Sequence, residues 1–173
     1  MNPINYQTIP LDKAEFPQLG DFGEFIDIWK SKKSDAILPS WSDLGFTAFP
    51  NKMIPFLSLT DVTFNPLRFR YRFIGTAITN IEGKDYTGSY FDEITPSSYA
   101  QSIIESNEPV VSSKAPVIYR ATIIQGNDKI DIASGIRLPL SNDGSRIDNV
   151  LALIKSNTSL YQINKIFAEL ENN

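Results

Sequence analysis

The most informative segment of the sequence runs from Arg68 to Gly88 and reads RFRYRFIGTAITNIEGKDYTG. Its first six residues alternate between arginine and an aromatic side chain, and a period of two is typical of a β-strand. We expect a strand from Arg68 to Thr76, followed by a polar segment that Gly83 and Gly88 interrupt. The sequence therefore predicts one strand, then one-turn helices and tight turns.

The alternation assigns the two kinds of side chain to opposite faces of this strand. The aromatic set is Phe69, Tyr71 and Phe73; the basic set is Arg68, Arg70 and Arg72. Three arginines on one face can form an anion site. They can also cover apolar surface with their stems while their heads pair with carboxylates, and the acidic chain favours this second interpretation.

Length and charge limit the class of protein. A chain of 173 residues is long enough for one domain with a full core. The net charge of −4 argues against a phosphate-binding surface, so we expect no nucleic acid partner. No apolar run reaches the ~20 residues that a membrane span needs, so no membrane partner is expected. The first residues lack the pattern of a signal peptide, and we expect a cytoplasmic protein.

The chain has neither histidine nor cysteine, which excludes much chemistry. It cannot form a Ser-His-Asp or Cys-His nucleophile, a thiolate or imidazole zinc site, a haem with His or Cys as axial ligand, or a cysteinyl–flavin adduct. Two pairs of acids, Asp92 with Glu93 and Asp128 with Asp131, are expected to be solvated rather than catalytic. We therefore expect no cofactor, no metal and no enzymatic activity.

Four segments are expected along the chain. Residues 1–20 are a proline-containing lead-in, partly ordered at best; 21–55 hold an N-terminal helix and a linker; 56–156 form the core; 157–173 form a C-terminal helix. The core is expected to hold strands at 56–64, 68–76, 116–125, 129–140 and 148–155, with a helix that begins at Thr95–Pro96 and ends at Asn107–Pro109. This pattern predicts an α+β domain with one antiparallel sheet. Trp29 in the first helix is interpreted as a packing anchor.

The order of two strands, helices and three strands resembles a PAS domain, and the local sequence resembles the single PAS-domain proteins common in alphaproteobacteria. Four blocks carry this resemblance: Ile28–Lys30 with Leu38–Pro39, Phe69–Thr76, Gly83–Gly88 and Leu138–Gly144. Tyr86 departs from the pattern, because the family usually has an aliphatic residue there. The resemblance implies a five-stranded antiparallel sheet, a helical belt on one of its faces, and often a homodimer.

Two hypotheses concern side chains near the central turn. Tyr71, Phe73, Thr76, Tyr86, Tyr99 and Tyr119 are candidates to bind a ligand between the sheet and the helices, although such residues more often only form the core. Arg72 and Asp85 are candidates for a buried ion pair that holds the turn against the sheet.

These observations favour a cytoplasmic sensor or adaptor that binds a small organic ligand, a partner protein in trans, or both. Two alternatives remain open. One is a small α+β enzyme that uses carboxylate or tyrosine acid–base chemistry; the other is a structural dimerisation module.

Overall fold

The computed structural model describes residues 4–10, 21–34, 38–125 and 128–156. In chain order the elements are β1 (Ile4–Pro10), α1 (Asp21–Lys32), α2 (Trp41–Leu44), 3-10 turns at Phe46–Ala48 and Ile54–Phe56, β2 (Leu57–Thr63), β3 (Arg68–Ile74), α3 (Thr76–Glu82), a 3-10 turn at Phe91–Glu93, α4 (Ser97–Ser113), β4 (Val117–Gln125), β5 (Asp128–Leu140) and β6 (Asn149–Ser156). The C-terminal helix expected over 157–173 lies outside the described residues.

The strands form one sheet in the order β1-β4-β5-β6-β2-β3, and every neighbouring pair is antiparallel. This confirms the predicted α+β class and antiparallel sheet. The prediction of five strands is wrong, because the described sheet has six. The additional strand is β1, which lies in the segment expected to be a partly ordered lead-in. Pro10 is compatible with β1 because it is the last residue of a strand at the edge of the sheet.

Both faces of the sheet carry helices. On one face α1 packs through Phe25, Ile26 and Trp29 against strand residues that include Leu138 and Leu151. Trp29 is buried and its indole Nε1 donates a hydrogen bond of 3.0 Å to the Pro139 carbonyl oxygen. It is therefore a packing anchor, as expected.

The opposite face is covered by α3, the 3-10 turn at Phe91–Glu93 and α4, which together form the helical belt. Side chains of β6 alternate between the two cores: Leu151 and Leu153 face α1, whereas Val150 and Ile154 face the belt. Helix α4 continues to Ser113, so its expected end at Asn107–Pro109 is wrong. The proline inside this helix, Pro109, is expected to lower helix stability by about 3 kcal/mol. The next residue, Val110, is completely buried against the sheet, and this burial stabilises the last turn of the helix.

The edge strand β3 contains a β-bulge. Leu59 pairs with Phe73 and the next residue, Thr60, pairs with Tyr71, so Arg72 is an additional residue in β3. An additional residue reverses the faces of the side chains that follow it. Tyr71 accordingly packs in the core under the belt, whereas Phe73 packs against the core under α1 and contacts the ring of Phe46.

Candidate functional site

A cavity of about 60 Å³ lies between the sheet and the helices α3 and α4. Most of its lining is apolar, from Ile78, Ile81, Ile103, Ala121, Ile132, Ala133 and Ile154; the polar lining comes from Tyr71, Glu82, Tyr99, Tyr119, Arg137 and Ser156. A second β-bulge adds Ile132 to β5, because Ala121 pairs with Ala133 and Thr122 pairs with Asp131. The lining thus comes from four strands and two helices that are distant in sequence.

Three of the six predicted ligand-binding residues lie at this cavity: Tyr71, Tyr99 and Tyr119. The other three do not line it. Phe73 faces the opposite core because of the bulge at Arg72, and Thr76 is exposed at the start of α3. Tyr86 is buried in the core under the belt, outside the cavity wall. Ligand binding by the three tyrosines stays a prediction.

Glu82 is the last residue of α3 and is only 9% exposed. Gly83 ends the helix with a φ of 71°, and its N–H donates to the Thr79 carbonyl oxygen, which holds the last turn closed. One carboxyl oxygen of Glu82 accepts a hydrogen bond of 2.6 Å from the Tyr99 hydroxyl. The other, Oε2, is buried without a hydrogen-bond partner among the described residues.

Burial raises the pKa of Glu82 to about 7, because the ionised carboxylate loses hydration. The hydrogen bond from Tyr99 acts against this rise, and the negative charge of Asp85 adds slightly to it. The carboxyl group of Glu82 therefore changes its protonation state near neutral pH.

Arg137 projects from β5 into the same cavity and is 5% exposed. Its neighbours Ile136 and Leu138 face α1, so alternation directs the guanidinium towards α4. There Nη2 donates a hydrogen bond of 2.7 Å to the Ser106 hydroxyl, and Cζ lies 4.0 Å from the centre of the Tyr119 ring. Within the described residues, Nε and Nη1 have no acceptor and no ion pair involves Arg137.

Gly135 allows this arrangement, since it pairs with Tyr119 across the β4–β5 ladder. A Cβ atom at Gly135 would lie 2.4 Å from Cε1 of Tyr119, closer than packed atoms approach. The absence of a side chain at this position lets the tyrosine ring lie over the strand and below the guanidinium of Arg137.

Neither Glu82 nor Arg137 was among the site residues predicted from the sequence. A signal existed for Arg137, because it is the single charged residue in the apolar run from Ile132 to Leu140. A charge in the middle of a buried strand indicates either a partner or a site. Glu82 had a weaker signal, since it follows Ile78 and Ile81 directly before a glycine.

The predicted ion pair between Arg72 and Asp85 is wrong. Nη2 of Arg72 lies 2.6 Å from Oδ1 of Asp61 on the neighbouring strand, at a partly exposed position. The carboxylate of Asp85 instead accepts a hydrogen bond of 2.9 Å from the backbone N–H of Thr87, which holds its own turn. The residue in the bulge therefore pairs across the sheet, not with the turn.

The other arginine side chains of β3 also have hydrogen-bond partners. Nε and Nη2 of Arg68 each donate a hydrogen bond of 2.8 Å to Asp92, and Nε of Arg70 donates to the Gly88 carbonyl oxygen. The guanidinium of Arg68 additionally stacks on the ring of Tyr90 at 3.7 Å. These contacts agree with the interpretation that the arginine heads meet carboxylates rather than form an anion site.

The described part of the chain also bears on metal binding and on membrane insertion. It contains no group of three or more histidine, cysteine, aspartate or glutamate side chains placed to hold a metal ion. None of its helices has the length and apolar character that crossing a membrane requires.

No protein-family model matches this sequence, and no curated protein matches it either. Among solved structures, the chain is similar to one described as an RNA-binding light-oxygen-voltage receptor, with a TM-score of 0.49 and 10% sequence identity. The match covers 97% of this chain and 43% of the receptor chain. RNA binding is part of the description of that receptor and is not transferred to this chain.

Proposed function

We propose that this protein is a PAS-like sensor or adaptor that binds a small organic ligand in the cavity between the sheet and the helical belt. The observation that carries the proposal is that Glu82 and Arg137 line one cavity and leave three buried polar atoms without partners among the described residues. Buried polar groups are nearly always hydrogen-bonded, so a ligand that supplies the missing partners is favoured. The order of strands and helices, which is the order that the PAS resemblance implies, supports the same proposal.

The output of such a sensor would be a change in the belt. The hydrogen bond from Tyr99 to Glu82 joins α4 to α3 at the cavity. A ligand that binds the carboxyl group of Glu82 therefore acts on the contact between the two helices. We propose that this change is passed to a partner protein or to a second copy of the chain, in the cytoplasm and without turnover of the ligand.

A second candidate function is a small enzyme with Glu82 as a general acid or base. The specific observation in its favour is the pKa of about 7 for a buried carboxyl group in a cavity, since such values suit proton transfer at neutral pH. The sensor is preferred because Arg137, the charged group that shares the cavity with Glu82, suits the binding of an anion.

The test is a thermal-shift screen of the purified protein against a panel of metabolites, followed by NMR of each compound that binds. We expect at least one compound to raise the melting temperature, because a ligand at 100 times its Kd adds about 2.7 kcal/mol of stability. The compound should remain unchanged in the NMR spectrum. Conversion to a product would support the enzyme instead.

Replacing either of two alanines by leucine gives a test variant and a matched control. Ala133→Leu adds a larger side chain inside the cavity and should abolish the shift, whereas Ala77→Leu, on α3 and outside the cavity wall, should preserve it. The proposal would be contradicted if no compound in the panel stabilises the protein. It would also be contradicted if a compound stabilises Ala133→Leu as strongly as the original protein.

A further inference from the structure

The charges around the cavity restrict the class of ligand, and this inference rests on the proposed binding function. Arg137 brings a guanidinium cation to the cavity wall. Its described contacts are the Ser106 hydroxyl and the face of the Tyr119 ring, and neither contact is with a carboxylate. A buried cation without a counter-ion is unfavourable, so the cavity favours an occupant that brings an anion to Arg137.

The size and lining of the cavity indicate the rest of the ligand. A single water needs about 10–15 Å³ of comparable space, so a cavity of about 60 Å³ accommodates a molecule with a few heavy atoms. Apart from its tyrosines, Glu82, Arg137 and Ser156, the wall is aliphatic and includes Ile78, Ile103 and Ile132. One guanidinium balances one negative charge, and an aliphatic wall suits a short hydrocarbon chain.

The other polar group of the cavity, Glu82, restricts the ligand further. Its polar neighbours are the Tyr99 hydroxyl on α4 and, in the turn after α3, the Asp85 carboxylate and the Tyr86 phenol. Three further polar side chains line the same cavity: Tyr71 on β3, Tyr119 on β4 and Arg137 on β5. An ionised Glu82 would repel an anion in this small space, whereas a protonated Glu82 would not.

We propose that the cavity binds a short aliphatic monocarboxylate, whose carboxylate pairs with Arg137 while the carboxyl group of Glu82 is protonated. Binding is then linked to a proton. Affinity should stay level at slightly acidic pH, where the ligand is ionised and Glu82 is not. Above the pKa of Glu82, at about 7, it should fall by about tenfold for each pH unit.

The test is calorimetry with butyrate and isobutyrate, each compared with the neutral amide of the same shape and with butylamine. We expect both carboxylates to bind at least about tenfold more tightly than their amides, because the amide has no negative charge to pair with the guanidinium of Arg137. Equal binding of amides and carboxylates, or stronger binding of butylamine, would overturn the ligand class and leave the proposed binding function intact. Failure of these probes together with the whole metabolite panel would overturn both.

Variants test the two roles separately. Glu82→Gln should bind butyrate at acidic pH as tightly as the original protein does. Its affinity should not fall above neutral pH, because the glutamine side chain does not titrate. Arg137→Gln should lose the preference for carboxylates over amides, and Arg120→Gln, at an exposed position on β4, should keep it. If the affinity of the original protein does not change between about pH 6 and pH 8, binding is not linked to a proton at Glu82. The same conclusion follows if the affinity of Glu82→Gln changes equally over this range.

Discussion

The Tyr99 hydroxyl on α4 donates a hydrogen bond of 2.6 Å to the carboxyl group of Glu82 at the end of α3. This bond joins the two helices that cover the cavity, and it satisfies one of the two carboxyl oxygens of Glu82. Burial and this hydrogen bond act in opposite directions on the pKa of Glu82, and burial has the larger effect. We therefore expect this pair to make the stability of the protein sensitive to pH.

The first prediction concerns the stability of the protein as a function of pH. The folded pKa of Glu82 is raised from 4.5 to about 7, so the folded state holds a proton that the unfolded state releases between these values. Stability from this group is complete below about pH 4.5 and is lost as the pH rises through about 7. Compared with Glu82→Gln, the free energy of unfolding should fall by about 3 kcal/mol across this window. Urea unfolding at a series of pH values measures the difference, and a constant difference between the two proteins would contradict the prediction.

The second prediction concerns Tyr99→Phe. The hydrogen bond from Tyr99 lowers the pKa of Glu82, so its removal should raise this pKa further and move the loss of stability to higher pH. At acidic pH the variant should also lose about 0.5–1.5 kcal/mol for the missing hydrogen bond. The midpoint of the pH profile is the informative readout, because a general loss of packing would lower stability equally at every pH.

The third prediction concerns Gly135→Ala. Its new Cβ atom would lie 2.4 Å from Cε1 of Tyr119, so the ring must move from its place below Arg137. Overpacking of this kind costs about 1–3 kcal/mol, and affinity for cavity ligands should fall with it. Gly23→Ala in α1 is the control, because its added Cβ meets no atom within 4 Å apart from its chain neighbours and the backbone of its own helix. An alanine there should stabilise the helix by up to about 1 kcal/mol.

The fourth prediction concerns the ion pair of the β3 bulge. Arg72→Met and Asp61→Asn should show a coupling free energy of about 0.2–1 kcal/mol in a double-mutant cycle, because the pair is partly exposed. The same cycle with Asp85→Asn in place of Asp61→Asn should show no coupling. Coupling to Asp85 and none to Asp61 would contradict the contact seen in the structure.

Much of the fold could be predicted from local sequence patterns. The alternation over Arg68–Phe73 correctly indicated a strand, and the Asp143–Gly144 turn correctly separated β5 from β6. The order of strands and helices followed from such signals. β1 was missed because three prolines in the first 20 residues obscured a short edge strand, and edge pairing depends on β4, more than 100 residues away.

The cavity was less predictable, because bulges and burial are tertiary effects. Strict alternation assigns Phe73 to the face of Tyr71, and one additional residue at Arg72 reverses that assignment. Glu82 and Arg137 are ordinary charged residues in sequence. Their importance comes from a shared cavity that only the packing of α3 and α4 on the sheet creates.

The pairing of β1 with β4 has a practical consequence for truncated forms of the protein. A fragment that starts at α1 retains all the residues of the cavity wall, yet it uncovers the β4 backbone from Val117 to Ile123. A bare strand border of this length is a template on which other chains add, and Ile124, already exposed, lies beside it. We therefore expect β1 to protect this edge from pairing with other chains, and fragments that lack β1 should aggregate.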